Sequence, residues 1–585
     1  TGSHRTVWQI RAVVILVHPE TMMRDSRSIR QLVPATRNVR ILFYAVILGI
    51  VVGHVATLYH WAVGGCAELF ARGFAVLPAY LFAFMPVAGS ALMVLFLVAG
   101  RARVKEYVPA SIESSIRNTA LRVKDGVVCF VTSLITLGSG GSAGPEGPMA
   151  YVGATLGEQQ GRLLRLDRRH VKVFLAAGTA AGIAAIFKAP LAGVLFALEL
   201  ILLNDLTMSA VTPGILSAVA AAAVNYYWTG VRPTFVVPPF AIHNYLELLV
   251  YGLLGVAGGL TAVGFSRCMA VAGRWFNRFP WPRLRPILGS LAVGGIICVL
   301  PAVSGYGHNY ITQVLRGDMP LLLVAALVVG KIVATACTLQ SGNSGGIFAP
   351  SLLIGAALGA TVGGLLHLIA PGAAPVSAFA TVGMAAVMAG TIHAPLTALM
   401  LIFELTRDYL VILPVMTATV VSTAVAYGLG GESLYLVPFA KSRLDFRQFR
   451  DLGALADVQA HELMRTRVPT IRPGEAPAEL HDRFKRFHYT QIPCVDAGGR
   501  LLGYVPRDAL HLLEGVPLER LLLPFAVTVR PEENLYETVR KLRIIDGVLP
   551  VVDEDNRLLG IVSQRIFLER FHPLLKIRSA IRSGL

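Results

Sequence analysis

The stretch Leu137-Gly-Ser-Gly-Gly-Ser-Ala-Gly-Pro-Glu-Gly-Pro148 occurs a second time as Leu339-Gln-Ser-Gly-Asn-Ser-Gly-Gly-Ile-Phe-Ala-Pro350. The leucine, two serines, two glycines and the final proline coincide when position 137 is aligned with position 339. Each copy is a glycine-rich turn that leads into an apolar segment. Such a turn predicts a helix whose N-terminus presents free backbone N–H groups and a positive dipole end, which together suit an anion.

The composition identifies the chain as an integral membrane protein. Its 585 residues are 54% hydrophobic and 15% charged, whereas soluble domains carry about 25% charged residues. Residues 332–403 contain no Asp, Glu, Lys or Arg. Since one span needs about 20 residues, this stretch enters or crosses the bilayer more than once.

The net charge of +17 does not indicate a nucleic-acid partner, because the basic residues lie in loops that flank apolar segments. That distribution favours contact with anionic lipid and predicts cytoplasmic N- and C-termini. The compact loops and the abundance of Ala, Gly, Leu, Val and Arg indicate a bacterial inner membrane. Residues 1–37 are interpreted as a cytoplasmic segment that includes an expression-tag remnant, Thr1-Gly-Ser-His4.

A second duplication extends the first. Lys188-Ala-Pro-Leu matches His393-Ala-Pro-Leu, and each match continues to a glutamate, Glu199 and Glu404. The transmembrane domain is therefore predicted over 38–442, as two repeats over about 38–230 and 245–435. Glycine and proline interrupt the apolar segments, which predicts broken or re-entrant helices around an internal site. Hydropathy alone leaves parallel and inverted repeats as alternatives.

Residues 443–585 have the composition of a soluble domain and are duplicated as well. Arg500-Leu-Leu-Gly-Tyr-Val505 recurs as Arg557-Leu-Leu-Gly-Ile-Val562. Each copy follows an amphipathic pattern, over 479–488 and 534–545, and the short strands are rich in β-branched residues. We predict a cytoplasmic pair of α/β modules over about 457–514 and 516–573.

Glu146 is a lone carboxylate between two apolar stretches, beside the first glycine-rich turn. A carboxylate at a helix N-terminus can simply be a favourable end charge. Carboxylates inside membranes are costly, however, and usually serve transport. Glu199 and Glu404 have a helix-end role as their simpler interpretation, while Lys188 is a candidate for raising the local potential for anions.

These residues resemble the CLC family of chloride channels and chloride/proton antiporters. Gly144-Pro-Glu-Gly-Pro148 is similar to the family's G-(K/R)-E-G-P motif, and Gly345-Gly-Ile-Phe-Ala-Pro350 to its GxFxP motif. Tyr435 stands where the family has an anion-binding tyrosine, and the C-terminal duplication resembles paired CBS domains. The resemblance implies a polytopic α-helical fold of two inverted repeats with re-entrant helices, and a homodimer.

The same resemblance implies roles for individual residues. The anion would be held near the midplane by the Gly346–Phe348 turn, through the N–H groups of Ile347 and Phe348, and by the Tyr435 hydroxyl. Glu146 would be the gate, which occupies the anion position when ionised. Partial positive charges suffice for chloride, because a full charge would trap it.

The sequence departs from the family in the first filter segment, which here is Lys105-Glu-Tyr-Val-Pro109. Glu106 takes the place of a serine hydroxyl, so Glu106, Tyr107, Val108 and Pro109 are candidates for a remodelled filter. Leu200 replaces a glutamate that proton-coupled members often carry directly after the equivalent of Glu199. Glu199 and Leu200 are therefore the positions that bear on proton coupling.

The CBS pair departs from nucleotide-binding examples too. The ribose-binding aspartate is replaced by Ile566 in the second module, and Asp508 lies one position early in the first. Adenine-nucleotide binding and a purely structural role are therefore alternatives for the CBS pair. No cofactor is required, and neither a zinc-binding HExxH motif nor paired cysteines indicate a metal site or disulfides.

The sequence predicts transport of chloride or a similar small monovalent anion. Protons would be a second substrate if the protein is an antiporter. Leu200 favours a channel or uniporter over the alternative, a chloride/proton antiporter. Two remote alternatives remain. One is a membrane sensor without transport, and the other is an intramembrane serine hydrolase, because Gly140-Gly-Ser-Ala-Gly144 fits the nucleophile-elbow pattern.

Overall fold

Sixteen α-helices form from the apolar part of the chain in the computed structural model, counted among the described residues. The structure describes residues 26–437 apart from 76–77, 105–106, 118, 167, 204–207, 232–234, 236–246, 371 and 373. Further along, it describes 459–475, 491–507, 509, 517–533, 538, 541–542 and 547–563.

The helices fall into two sets of eight, one for each sequence repeat. The first set consists of α1 (Ser26–Phe74), α2 (Met85–Ala99), α3 (Tyr107–Arg117), α4 (Val123–Gly138), α5 (Glu146–Leu163), α6 (Arg168–Phe187), α7 (Pro190–Phe196) and α8 (Met208–Thr229). The second consists of α9 (Glu247–Arg278), α10 (Arg285–Val299), α11 (His308–Arg316), α12 (Leu321–Gln340), α13 (Phe348–Ile369), α14 (Val376–Ile392), α15 (Pro395–Thr406) and α16 (Ile412–Gly428).

The helices differ in length as the glycine and proline interruptions predict. Within the described residues, seven segments are long and apolar enough to cross a membrane. They are Val39–Phe74, Leu81–Ala99, His170–Phe187, Ala210–Thr229, Glu247–Arg278, Leu321–Gln340 and Phe348–Ile369. Short apolar helices such as α7 and α15 accompany them. Both begin at a proline, whose missing N–H costs nothing in the first helical turn.

The two repeats are related by an approximate two-fold axis, as the contacts between equivalent residues show. Gly144 and Gly346 form an antiparallel bridge in which each N–H donates to the other's carbonyl oxygen, at 2.8 and 2.7 Å. Ser90 of α2 and Ser290 of α10 face each other with their Oγ atoms 2.5 Å apart. A contact that a residue makes with its own equivalent indicates an approximate two-fold axis between the repeats, which the implied inverted arrangement requires.

Glycines let the central helices approach closely. A Cβ on Gly153 of α5 would lie 2.1 Å from the carbonyl oxygen of Gly178 on α6, and one on Gly355 of α13 would lie 2.3 Å from that of Gly383 on α14. Small residues are the usual means of tight helix packing in membranes, where no hydrophobic driving force joins helices. Thus the glycines of the duplicated motif pack α5 on α6 and α13 on α14.

The chain divides into two units, Thr1–Arg443 and Leu444–Leu585. The described part of the second contains four strands, β1 (Gln491–Val495), β2 (Leu501–Pro506), β3 (Val548–Val552) and β4 (Leu558–Ser563). They form two antiparallel hairpins, β1–β2 and β3–β4. Equivalent residues Arg500 and Arg557 form an antiparallel bridge, so these modules also pair with approximate two-fold symmetry. Segment 479–488 and most of 534–545 lie outside the described residues.

Candidate anion site

Glu146 lies where the two repeats meet, at the first residue of α5. Its side chain is fully buried, and its Oε1 accepts the backbone N–H of Phe348 at 2.6 Å. Phe348 is the first residue of α13, and the N–H groups of Ala349 and of Glu146 itself also stabilise the carboxylate. The negative group therefore occupies the positive end of α13, the place where a helix offers a free anion the most stabilisation.

Two glycines leave room for this carboxylate. A Cβ on Gly144 would lie 2.0 Å from Glu146 Oε2, and one on Gly346 would lie 2.2 Å from Glu146 Oε1. The N–H of Gly346 donates to the Gly144 carbonyl. The Gly346 N–H, part of the turn expected to hold the anion, is therefore already used. Gly346 joins the repeats and leaves space for the Glu146 carboxylate.

Aromatic side chains surround the same helix end. The Phe348 ring packs against Phe187 and Phe196, with ring centroids 5.7 and 5.4 Å apart, and Phe196 meets Tyr435 edge to face at 6.2 Å. Tyr435 is 5% exposed, and its hydroxyl has no hydrogen-bond partner among the described residues. Ile347, also buried, is the N-cap of α13. A buried donor without a partner is costly, and a bound anion would satisfy it.

The segment that aligns with the family's first filter motif contributes a hydroxyl to this region, from the candidate residue Tyr107. The Tyr107 hydroxyl lies 2.5 Å from Ser344 Oγ and 3.1 Å from Thr132 Oγ1, while Thr132 and Ser344 are 3.0 Å apart. Val108 and Pro109 are buried beside it. Glu106 lies outside the described residues. Apart from the matching serines of the repeat, nothing in the sequence indicated this three-hydroxyl cluster.

Ser142, the equivalent of Ser344, is part of a reciprocal arrangement. Its Oγ lies 3.0 Å from Thr335 Oγ1, and its N–H donates to Thr338 Oγ1 at 3.2 Å. It follows α4, not a strand. The serine-hydrolase alternative is wrong, because a nucleophile elbow requires a strand and a free, exposed hydroxyl.

Glu199 and Glu404 each bind the start of a helix in the other repeat. Glu199 accepts the N–H groups of Leu396 and Thr397 at 3.2 and 2.8 Å, at the start of α15. Glu404 accepts those of Leu191 and Ala192 at 3.0 and 2.8 Å, at the start of α7. The helix-end role considered for both glutamates matches this geometry.

Leu200 follows Glu199 in a π-helical turn, Ala197–Ile201, and is 3% exposed. No carboxylate therefore stands at this position. Lys188 is half-buried, in the left-handed conformation with φ 57°, and its Nζ donates to the Gly230 carbonyl at 2.9 Å. Its effect on the anion potential stays a prediction.

Lys331 of α12 is a buried cation that sequence reasoning missed. Its side chain is fully buried, and its Nζ donates to the carbonyls of Val303 and Gly305 at 2.8 and 2.6 Å. Gly305 in turn donates its N–H to the Gly140 carbonyl at 3.0 Å. The lysine thus fixes the turn that leads to Glu146. Its position directly before the uncharged stretch was the available signal.

Among the described residues, no group of three or more His, Cys, Asp or Glu side chains could hold a metal ion. The nucleotide question at the CBS pair rests on Asp508 and Ile566, which lie outside the part of the chain that the structure describes.

Comparison with known proteins identifies both parts of the chain. The family model of the voltage gated chloride channel matches residues 99–427, and the CBS domain model matches 460–512 and 521–572. The chain is 34% identical over 399 residues to a ClcB-like protein of Ralstonia nicotianae, a match that covers 66% of this chain and 92% of the relative.

Two further matches bear on mechanism. The ClcA protein of Salmonella typhimurium, named as an H+/Cl− exchange transporter, is 29% identical over 443 residues, covering 72% of this chain and 92% of ClcA. A crystal structure described as a slow cyanobacterial Cl−/H+ antiporter aligns with a TM-score of 0.63 at 25% identity, covering 69% of this chain and 99% of that one. The chain belongs to the CLC family of chloride transport proteins and carries a C-terminal pair of CBS domains.

Proposed function

We propose that this protein exchanges chloride for protons. Glu146 binds the proton, and the displacement of its side chain makes room for the anion. One observation carries the proposal: the Glu146 carboxylate is buried on the N-terminus of α13, bonded to the Phe348 N–H at 2.6 Å. A single titratable group that competes with chloride for one helix end couples the two ions.

The exchange follows from the chemistry of that position. Ionised Glu146 blocks the helix end. Protonation removes its charge and weakens its bond to the Phe348 N–H, so chloride takes the place of the carboxylate. The N–H groups of Ile347 and Phe348 and the unpartnered hydroxyl of Tyr435 then hold the anion with partial charges only, which lets it leave again.

The sequence favoured a channel, and Leu200 remains the observation on that side, because an apolar side chain there cannot carry a proton. The named activities of ClcA and of the cyanobacterial antiporter support exchange over a channel. We therefore take antiport as the proposed activity and the uncoupled channel as the second candidate.

The surroundings of the protein are part of the same proposal. The bacterial relatives support a bacterial inner membrane, and the basic loops support cytoplasmic termini. A homodimer with one pathway per subunit follows from the family resemblance. Lys188 is proposed to raise the anion potential near the surface, and the CBS pair is proposed to act without an obligatory nucleotide.

The test is chloride efflux from proteoliposomes of the full chain, with external pH recorded and valinomycin present to clamp the voltage. Uphill proton movement driven by a chloride gradient, opposite in direction to chloride, supports antiport. Chloride flux without proton movement supports the channel. Absence of flux for every small monovalent anion would support the sensor.

A further inference from the structure

A proton that reaches Glu146 from the cytoplasmic side needs a route through buried protein, and Leu200 cannot supply one. This inference rests on the proposed exchange activity. The groups that can carry a proton between Glu146 and the cytoplasmic ends of α4 and α5 are therefore decisive, and two tyrosines stand there.

Tyr151 lies on α5, five positions after Glu146. It is 1% exposed, and its hydroxyl has no hydrogen-bond partner among the described residues. An unsatisfied buried hydroxyl costs about 1–3 kcal/mol. A buried hydroxyl without a partner is able to form a transient hydrogen bond with a neighbouring group.

Tyr107 extends this position towards the gate. The rings of Tyr107 and Tyr151 are in contact, with centroids 5.6 Å apart and planes tilted by 45°. The Tyr107 hydroxyl belongs to the three-hydroxyl cluster with Thr132 and Ser344. Ser344 stands two residues before Gly346, whose missing Cβ makes room for the Glu146 carboxylate.

Ionisable groups also lie in the electrostatic surroundings of Tyr151. Asp125 and Cys129 of α4 and Glu158 of α5 interact with it electrostatically. Glu158 accepts the Leu121 N–H at 2.9 Å and pairs with Arg162 at 2.6 Å. Arg162 lies in the last turn of α5 and Lys124 in the first turn of α4, next to the basic loops that adjoin these helix ends. This end is therefore the cytoplasmic one by the positive-inside rule.

We propose that Tyr151 and Tyr107 form the inner proton path, which runs from the acidic groups at the cytoplasmic ends of α4 and α5 to Glu146. Each hydroxyl accepts a proton on its oxygen while it donates its own hydrogen onward. No phenol is left ionised, and the net transfer is one proton onto the Glu146 carboxylate or one proton from it to the cytoplasmic side.

The experiment compares Tyr151→Phe and Tyr107→Phe with Tyr251→Phe in the full chain. Tyr251 of α9 is the matched control, because it is fully buried, packs on Phe379 at 5.1 Å and has a hydroxyl without a partner among the described residues. Chloride and proton fluxes are recorded together in proteoliposomes. We expect Tyr151→Phe to keep chloride flux within about twofold and to lose proton flux by about tenfold or more. Tyr107→Phe should also lose proton flux.

Each other outcome decides against the proposal. Unchanged coupling in Tyr151→Phe overturns the tyrosine path while exchange itself stands. Loss of both fluxes also overturns it, because Tyr151 would then serve the fold or the anion route. If the unmodified protein moves chloride without protons, the proposed exchange activity is wrong, and the tyrosine path is overturned with it. A loss of proton coupling in Tyr251→Phe equal to that in Tyr151→Phe would overturn the proposed path, because Tyr251 lies outside it.

Discussion

Glu146 accepts the backbone N–H of Phe348 at 2.6 Å, and Phe348 is the residue that stands at Glu146's own position in the second repeat. The carboxylate of one half therefore fills the helix end of the other half. Since the two positions are equivalent and only one is an acid, the symmetric scaffold holds one carboxylate at this pair of positions.

Removal of the Glu146 charge is expected to separate the two ions. In Glu146→Gln, chloride flux should become independent of pH and proton flux should fall to background, because the blocking carboxylate and the proton carrier are the same group. In the unmodified protein chloride flux should rise as pH falls, since protonation releases the helix end. Flux assays between pH 4 and pH 8 check this.

Glu404→Gln is the control for that prediction. Its carboxylate is also within the membrane unit and also binds a helix start, but it lies outside the proposed path. Its pH dependence should match the unmodified protein. A Glu146→Gln variant that still closes at high pH would contradict the gating role.

The Tyr435 hydroxyl is expected to contribute to anion binding. Tyr435→Phe should weaken chloride binding by about 0.5–1.5 kcal/mol, or roughly two- to tenfold, the usual net value of one hydrogen bond. Isothermal titration in detergent measures it directly. Tyr227→Phe, an exposed position, should leave the dissociation constant unchanged, and equal affinities for both variants would exclude Tyr435 as a ligand.

Gly346→Ala should damage both the gate and the repeat interface, because the added Cβ would lie 2.2 Å from Glu146 Oε1. We expect the pH dependence of chloride flux to be lost and stability to fall by about 1–3 kcal/mol, the usual cost of overpacking. Gly64→Ala is the matched control: it lies in α1 with nothing within 4 Å of the added Cβ. Retained pH dependence in Gly346→Ala would show that Glu146 does not depend on this space.

The reciprocal helix-end contacts are expected to be stabilising. Glu404→Ala should lower the free energy of unfolding by about 1.5–3 kcal/mol, because two N–H groups lose a charged acceptor. Unfolding of the detergent-solubilised protein in SDS measures the change. Glu199→Ala should cost at least as much, since Glu199 also accepts the Thr397 hydroxyl at 2.5 Å. No change in either variant would contradict a structural role for these carboxylates.

The sequence predicted the parts of the fold that depend on local pattern. The spacing of Gly144, Glu146 and Pro148, repeated around Gly346, identified both helix starts, and the structure begins α5 and α13 at equivalent residues. Inversion was not readable from hydropathy, because both orientations bury the same apolar segments. The two-fold relation between the repeats became visible only in contacts such as Gly144 with Gly346.

The hydroxyl cluster could not be predicted for a related reason. Tyr107 and Ser344 are separated by 237 positions, and no local rule relates a filter residue of one repeat to a turn of the other. The preference for a channel rested on Leu200 alone, one side chain whose absence of charge another proton route can compensate. Both the hydroxyl cluster and a proton route depend on which side chains are close in the folded protein, and the residue types alone do not reveal this.

The paired glutamates Glu199 and Glu404 have one more consequence, for the selectivity of the whole unit. Every helix that starts inside a membrane is a potential trap for halide ions. At the N-termini of α7 and α15 the N–H groups are bonded to a glutamate that stays in place. At α13, by our proposal, an anion can displace the glutamate. Carboxylates that stay bound at two helix N-termini, and a displaceable one at the third, would restrict anion binding to a single site. Anions would then not be retained at the other two helix ends.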